Sequence, residues 1–71
     1  MESVPERFGQ NVRAARLARG WTQEELAAQS GLAVVQVSRI ERGKREVRLT
    51  TLIRLLAALE ASPATLLKGL T

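Results

Sequence analysis

Glycine and proline punctuate this chain at short intervals. Pro5, Gly20, Gly31, Gly43 and Pro63 cut it into segments of a few helical turns each. Within those segments apolar residues recur at helical spacing, and no stretch alternates apolar and polar over the length of a strand. Short helices are what such a pattern can build. The expectation is an all-α fold, a compact five-helix domain spanning residues 1–71.

The first helix is predicted over Pro5–Arg19. Ser3 can cap it, Pro5 is tolerated in its first turn, and Gly20 supplies a left-handed stop. Phe8, Val12 and Ala15 form its inward stripe. The second helix is predicted over Gln23–Ser30, opened by a Thr22/Glu25 capping box. Trp21 and Leu26 stand at the two positions of a hydrophobic staple, a better reading of Trp21 than stacking on a base. The third helix is predicted over Val34–Arg42, with Gly43 after it. Its start is weak, because Ala33 offers no side-chain acceptor at the cap position. Val37 and Ile40 face inward; Val34, Val35, Gln36, Ser38 and Arg39 face outward or partly so. A charged loop, Lys44–Arg48, leads to a fourth helix over Leu49–Glu60. Ser62-Pro63 opens a fifth, ending near Lys68.

The side chains present narrow the function. Cys, His and Tyr are absent, and all seven carboxylates are Glu. A disulfide framework, a zinc finger and a Cys or His nucleophile–base pair are therefore excluded. Catalysis would rest on Glu, Lys, Arg or Ser alone, so no enzyme is expected, and no metal, cofactor or small-molecule ligand. No uncharged run reaches the roughly 20 residues of a membrane span, and no apolar run follows a basic N-terminus. The chain reads as soluble and cytoplasmic, with no membrane partner.

The formal net charge is +4, and it has an address. Cations and carboxylates balance over residues 1–33 and again over 55–71. Residues 34–54 hold Arg39, Arg42, Lys44, Arg45, Arg48 and Arg54 against Glu41 and Glu46, which is the whole excess. A helix and loop with that local field suit a polyanion; the bland reading is an ordinary solvated face.

The second and third helices are joined by Ser30-Gly31-Leu32-Ala33, with the Gly that a helix-turn-helix requires. Any helical hairpin has such a turn. The residues around it are more specific: Trp21-Thr22-Gln23-Glu24-Glu25-Leu26-Ala27, then Ser30-Gly31-Leu32, then Val37-Ser38-Arg39-Ile40-Glu41-Arg42-Gly43-Lys44-Arg45. In combination they closely resemble the lambda-repressor-like (Cro-type, or XRE) helix-turn-helix family. The resemblance extends from Arg16 and Gly20 to Leu49, Leu52, Leu55 and Leu59.

That resemblance implies a third helix in the major groove of double-stranded DNA. It implies base-edge contacts from Val34, Val35, Ser38 and Arg39. Gln23 is implied to bond a backbone phosphate and brace the third helix; Arg42, Lys44 and Arg45 match positions that reach phosphates or base edges. Arg16 and Glu41 are implied to form a structural salt bridge. Chemically, Arg39 can donate two parallel bonds to guanine, whereas Val34 and Val35 can read only thymine methyls or shape. Better-known members often carry Gln, Ser or Arg there, so the two valines are open to a second reading as a protein contact.

The fourth helix carries more large aliphatics than one small core needs. Part of the surplus, Ile53, Leu56, Leu67 and Leu70 with Ala64, is expected to form a two-fold interface, since chains this small often gain stability by pairing. The alternative is that all of it packs internally. The leading functional expectation is a sequence-specific, homodimeric transcriptional regulator reading a near-palindromic operator, with no effector domain. In size it resembles the controller proteins of restriction–modification systems, and equally small phage-type repressors and antitoxins. The competing expectation is an antitoxin-like interaction module on the same fold that masks a partner protein.

Overall fold

The computed structural model describes residues 2–70, which form five helices: α1 (Val4–Ala18), α2 (Gln23–Ser30), α3 (Val34–Glu41), α4 (Leu49–Leu59) and α5 (Pro63–Leu66). No strand occurs among the described residues. None of these helices is long and apolar enough to cross a membrane.

The starts of α1, α2 and α5 follow from local side-chain bonds, whereas Arg48 caps α4 without one. At α1 the Ser3 hydroxyl accepts from the Glu6 N–H at 3.2 Å, while the Glu6 carboxylate accepts from the Ser3 N–H at 2.8 Å. This reciprocal box begins the helix at Val4, one residue before the expected Pro5. Those bonds also hold the Glu6 carboxyl below its usual pKa. Thr22 and Glu25 make the same box at α2, at 3.1 and 2.8 Å. Ser62 accepts from the Thr65 N–H at α5. The ends differ slightly from expectation. Arg19 and Arg42 are caps rather than helical residues, followed by Gly20 and Gly43 at positive φ. Glu60 stops α4 by turning left-handed, at φ 50°. The last helix ends at Leu66 instead of Lys68, where the Asn11 amide of α1 donates to both the Leu66 and Lys68 carbonyls at 2.8 Å.

The core is aliphatic apart from Phe8. Phe8 and Val12 of α1 meet Leu26 of α2, Leu32 of the turn, Val37 of α3, Leu55 and Leu59 of α4, and Leu66 of α5. Trp21 is half-buried against this cluster, with the Arg19 guanidinium 4.6 Å over its ring. That contact is cation–π in geometry and holds the indole at the core's edge.

One crossing is unusually tight. α1 lies directly on the C-terminal end of α3, and Gly9 makes the approach possible. A Cβ there would collide with the Ile40 carbonyl and sit 2.7 Å from the Glu41 carbonyl oxygen. At Gly43 a Cβ would meet the Glu6 backbone at 2.5 Å. Helix–backbone contacts of this kind cannot relax through a rotamer change. Gly9→Ala is therefore expected to lower the unfolding free energy by about 1–3 kcal/mol in urea titrations, the range for overpacking a tight interior.

Candidate nucleic-acid interface

α2 and α3 form a helix-turn-helix. Gly31 adopts φ 74°, and its N–H closes the turn on the Ala27 carbonyl at 3.0 Å. Leu32 drops into the core and leads the chain straight into α3.

α3 is only eight residues long and carries little helical stability by itself. Its C-terminal end is held by a buried ion pair. Arg16 Nε donates to Glu41 Oε2 at 2.7 Å and its Nη2 to Oε1 at 3.0 Å, a bidentate fork. The two side chains are only 9% and 3% exposed. The third Arg16 nitrogen, Nη1, donates to the Trp21 carbonyl at 2.7 Å, and Gln23 Nε2 donates to Glu41 Oε1 at 3.1 Å. One cluster thus joins α1, the segment before α2, α2 itself and α3. Among the described residues no buried side-chain polar atom lacks a partner. The hydrogen bonds to Glu41 raise the Arg16 pKa above its already high ordinary value, so the guanidinium stays charged.

This pairing also changes the surface field. Arg39, Arg42, Lys44, Arg45, Arg48 and Arg54 are all exposed, while Glu41 is buried against Arg16. Glu46 is then the one exposed carboxylate set among six exposed cations. An open groove of about 520 Å³ runs between α3 and the start of α4, lined by Gln36, Arg39, Arg45, Arg48, Thr50 and Arg54 among others. Arg54 reaches back to the turn: its guanidinium lies 3.9 Å from where a Cβ on Gly31 would be.

The outward face of α3 follows from its buried one. Val37 and Glu41 are buried and Ile40 half-buried. At about 100° per residue, the opposite direction is centred on Arg39, with Val35 on one side and Gln36 on the other. Val34 and Val35 are 44% and 49% exposed; Ser38 is half-buried on the flank beside Val34. Gln23 stands at the N-terminus of α2 with its amide already engaged by Glu41. Arg42 folds its Nε to within 3.4 Å of the Ser38 carbonyl, while Lys44 and Arg45 project from the loop.

Of the surplus aliphatics, Ile53, Ala64 and Leu67 are exposed, whereas Leu56 and Leu70 are half-buried against the chain's own core. Leu49, at 73% exposure, is the most open large hydrophobic residue described, and sequence reasoning left it out of the two-fold surface. Gln36, Arg48 and Arg54 line the groove as well and were not among the expected site residues. The charge count contained both arginines, but only the fold brings them to one groove. For Gln36 the available signal was a Gln three residues after a cap position that lacks an acceptor.

A helix-turn-helix family model matches residues 12–66. The chain is 41% identical over 64 residues to the control protein C.SmaI of Serratia marcescens, a match covering 90% of this chain and 76% of that one. It is 44% identical over 52 residues to the transcriptional repressor RghR of Bacillus subtilis, covering 73% of this chain and 38% of the repressor. A Neisseria meningitidis hypothetical transcription factor is 43% identical over 49 residues, 69% of this chain. The chain spans less than half the length of that relative, 46%. Among solved structures, the restriction-modification controller protein C.AhdI from Aeromonas hydrophila superposes with a TM-score of 0.83 at 42% identity, over 87% of this chain and 94% of that one. The clp gene regulator ClgR from C. glutamicum gives 0.88 at 34% identity, over 94% and 87%.

Replacing one member of the ion pair strands the other charge in a dry site. Glu41→Ala is expected to cost about 3–5 kcal/mol in urea unfolding, and Arg16→Met with Glu41→Leu together clearly less than either change alone.

Proposed function

The chain belongs to the lambda-repressor-like (XRE-type) helix-turn-helix family of DNA-binding transcriptional regulators, and on that premise we propose that it places α3 in the major groove of a near-palindromic operator as a homodimer. The observation that carries this reading is the field: six exposed cations concentrated on α3, its following loop and the start of α4, with Glu41 withdrawn into the interior. Arg39 reads a guanine edge through paired N–H donors. Val34 and Val35 contact thymine methyls or groove shape, and Ser38 adds an adaptable bond. Gln23, Arg42, Lys44 and Arg45 hold phosphates, which orients the helix, and the three cations release counterions without carrying sequence information.

The two-fold surface runs through Ile53, Leu56, Ala64, Leu67 and Leu70, extended by Leu49. Pairing there sets two α3 helices roughly 34 Å apart, one turn of duplex. The roles of the relatives, a control protein and a repressor, support a cytoplasmic regulator whose binding sets the output of a nearby promoter. A second reading has one observation in its favour. Val34 and Val35 are adjacent, apolar and exposed, as a surface masking a partner protein would be.

Selection from random duplexes separates the two readings. The regulator recovers an inverted repeat and shows log K falling steeply with log salt; the masking module recovers no site at any salt. Arg39→Ala is expected to cost about 1–3 kcal/mol and to relax preference at one base pair. Arg45→Ala is expected to weaken all duplexes alike and to reduce the salt slope by about 1. In sedimentation at micromolar concentration the chain is expected at twice its monomer mass, and Ile53→Glu at the monomer mass with its fold intact.

A further inference from the structure

Gln36 has two jobs available to one amide. Ala33, at the cap position of α3, has no side-chain acceptor, so the helix start lacks the bond that Ser3, Thr22 and Ser62 supply elsewhere. Gln36 supplies the other half of a capping box instead: its Oε1 accepts from the Ala33 N–H at 3.0 Å. The side chain nevertheless stays exposed, on the rim of the groove that also holds Arg39 and Arg45. Its Nε2 makes no hydrogen bond among the described residues and keeps both donors.

From this geometry we infer that Gln36 is a further specificity-determining residue, held in place by the cap and reading the base edge through its Nε2 donors alone. The inference rests on α3 lying in the major groove. With Oε1 occupied by the backbone, the usual two-point pairing of a Gln amide with adenine, which needs oxygen and nitrogen together, gives way to donation only. Acceptors on that edge are purine N7, guanine O6 and thymine O4; cytosine offers only its N4 amino donor. Gln36 therefore excludes cytosine at one position. The cap also lowers the cost of the contact, because a free Gln side chain loses rotamer entropy when ordered. Gln36 and Arg39 are one turn apart and neighbours on the helix surface, so they read adjacent positions.

Two substitutions divide the roles. Gln36→Glu keeps an oxygen for the Ala33 N–H and suits the positive end of the helix, but has no donor. Gln36→Met keeps the length and loses both functions. The full chain and each variant are taken through thermal melting and selection on random duplexes. The expected result is that Gln36→Glu melts at or above the unsubstituted chain and Gln36→Met below it. Both variants are expected to lose about two- to tenfold in the ratio of affinity for the selected site over random duplex. At one position the unsubstituted chain rejects cytosine, Gln36→Glu prefers it, and Gln36→Met is indifferent. If both variants recover the unsubstituted chain's site with an unchanged ratio, Gln36 reads nothing and this inference falls while the regulator stands. An adenine required at that position, and lost when its N6 amino group is removed, also overturns donor-only reading. If the unsubstituted chain selects no site, the regulator reading falls and takes this one with it.

Discussion

The buried pair of Arg16 and Glu41 is the contact on which the placement of α3 depends. Removing two charges from water is expensive, and the attraction between them offsets that only when every donor and acceptor finds a partner. Here that condition is met. The guanidinium fork takes both carboxylate oxygens, its remaining nitrogen takes the Trp21 carbonyl, and Gln23 completes Glu41. The cluster has a directional consequence that an apolar contact would lack. A bidentate fork tolerates little rotation, so the last residue of α3 is oriented against α1 and against the start of α2 at once.

Two features around that cluster reinforce it. Gly9 lets the α1 backbone meet the end of α3 without an intervening side chain, and Gly43 lets the chain leave α3 against Glu6. A helix of eight residues is too short to hold itself in water, so its geometry is borrowed from what it packs on. The apolar side contributes Val37 alone among fully buried residues of α3. Seating by backbone contact and ion pair leaves the outward side chains free of structural duties, apart from Gln36.

Much of this was legible beforehand, for identifiable reasons. The starts of α1, α2 and α5 are encoded locally, by Ser3, Thr22 and Ser62 bonding the N–H groups of Glu6, Glu25 and Thr65, and local codes survive folding. The glycine stops are equally local. Helix ends were read a residue or two too far at Arg19, Arg42, Glu60 and Lys68. At Arg19, Arg42 and Glu60 the cap residue's own N–H closes the last turn on a nearby carbonyl, while at α5 the Asn11 amide takes the Leu66 and Lys68 carbonyls from the far end of the chain. The aliphatic surplus of α4 was visible as a stripe, but its division was not. Leu56 lies half-buried at the edge of the core and Leu49 is open to solvent, because α4 packs on α2 and α1 with one face only.

The amino-acid sequence by itself determined the family, the number of helices, the turn and the segment that holds the excess charge. These are properties of residue type and spacing, and they hold wherever the segments sit in space. Only the tertiary structure decided how that charge is presented. Glu41 counts against the cations in any tally along the chain, yet burial against Arg16 removes it from the surface and leaves Glu46 alone among six exposed cations. The groove between α3 and α4 has the same origin, because Arg39 and Arg54 share it only after two helices are packed. Gln36 likewise acquires its cap role from the conformation of Ala33, since a donor and an acceptor bond only where the fold brings them together.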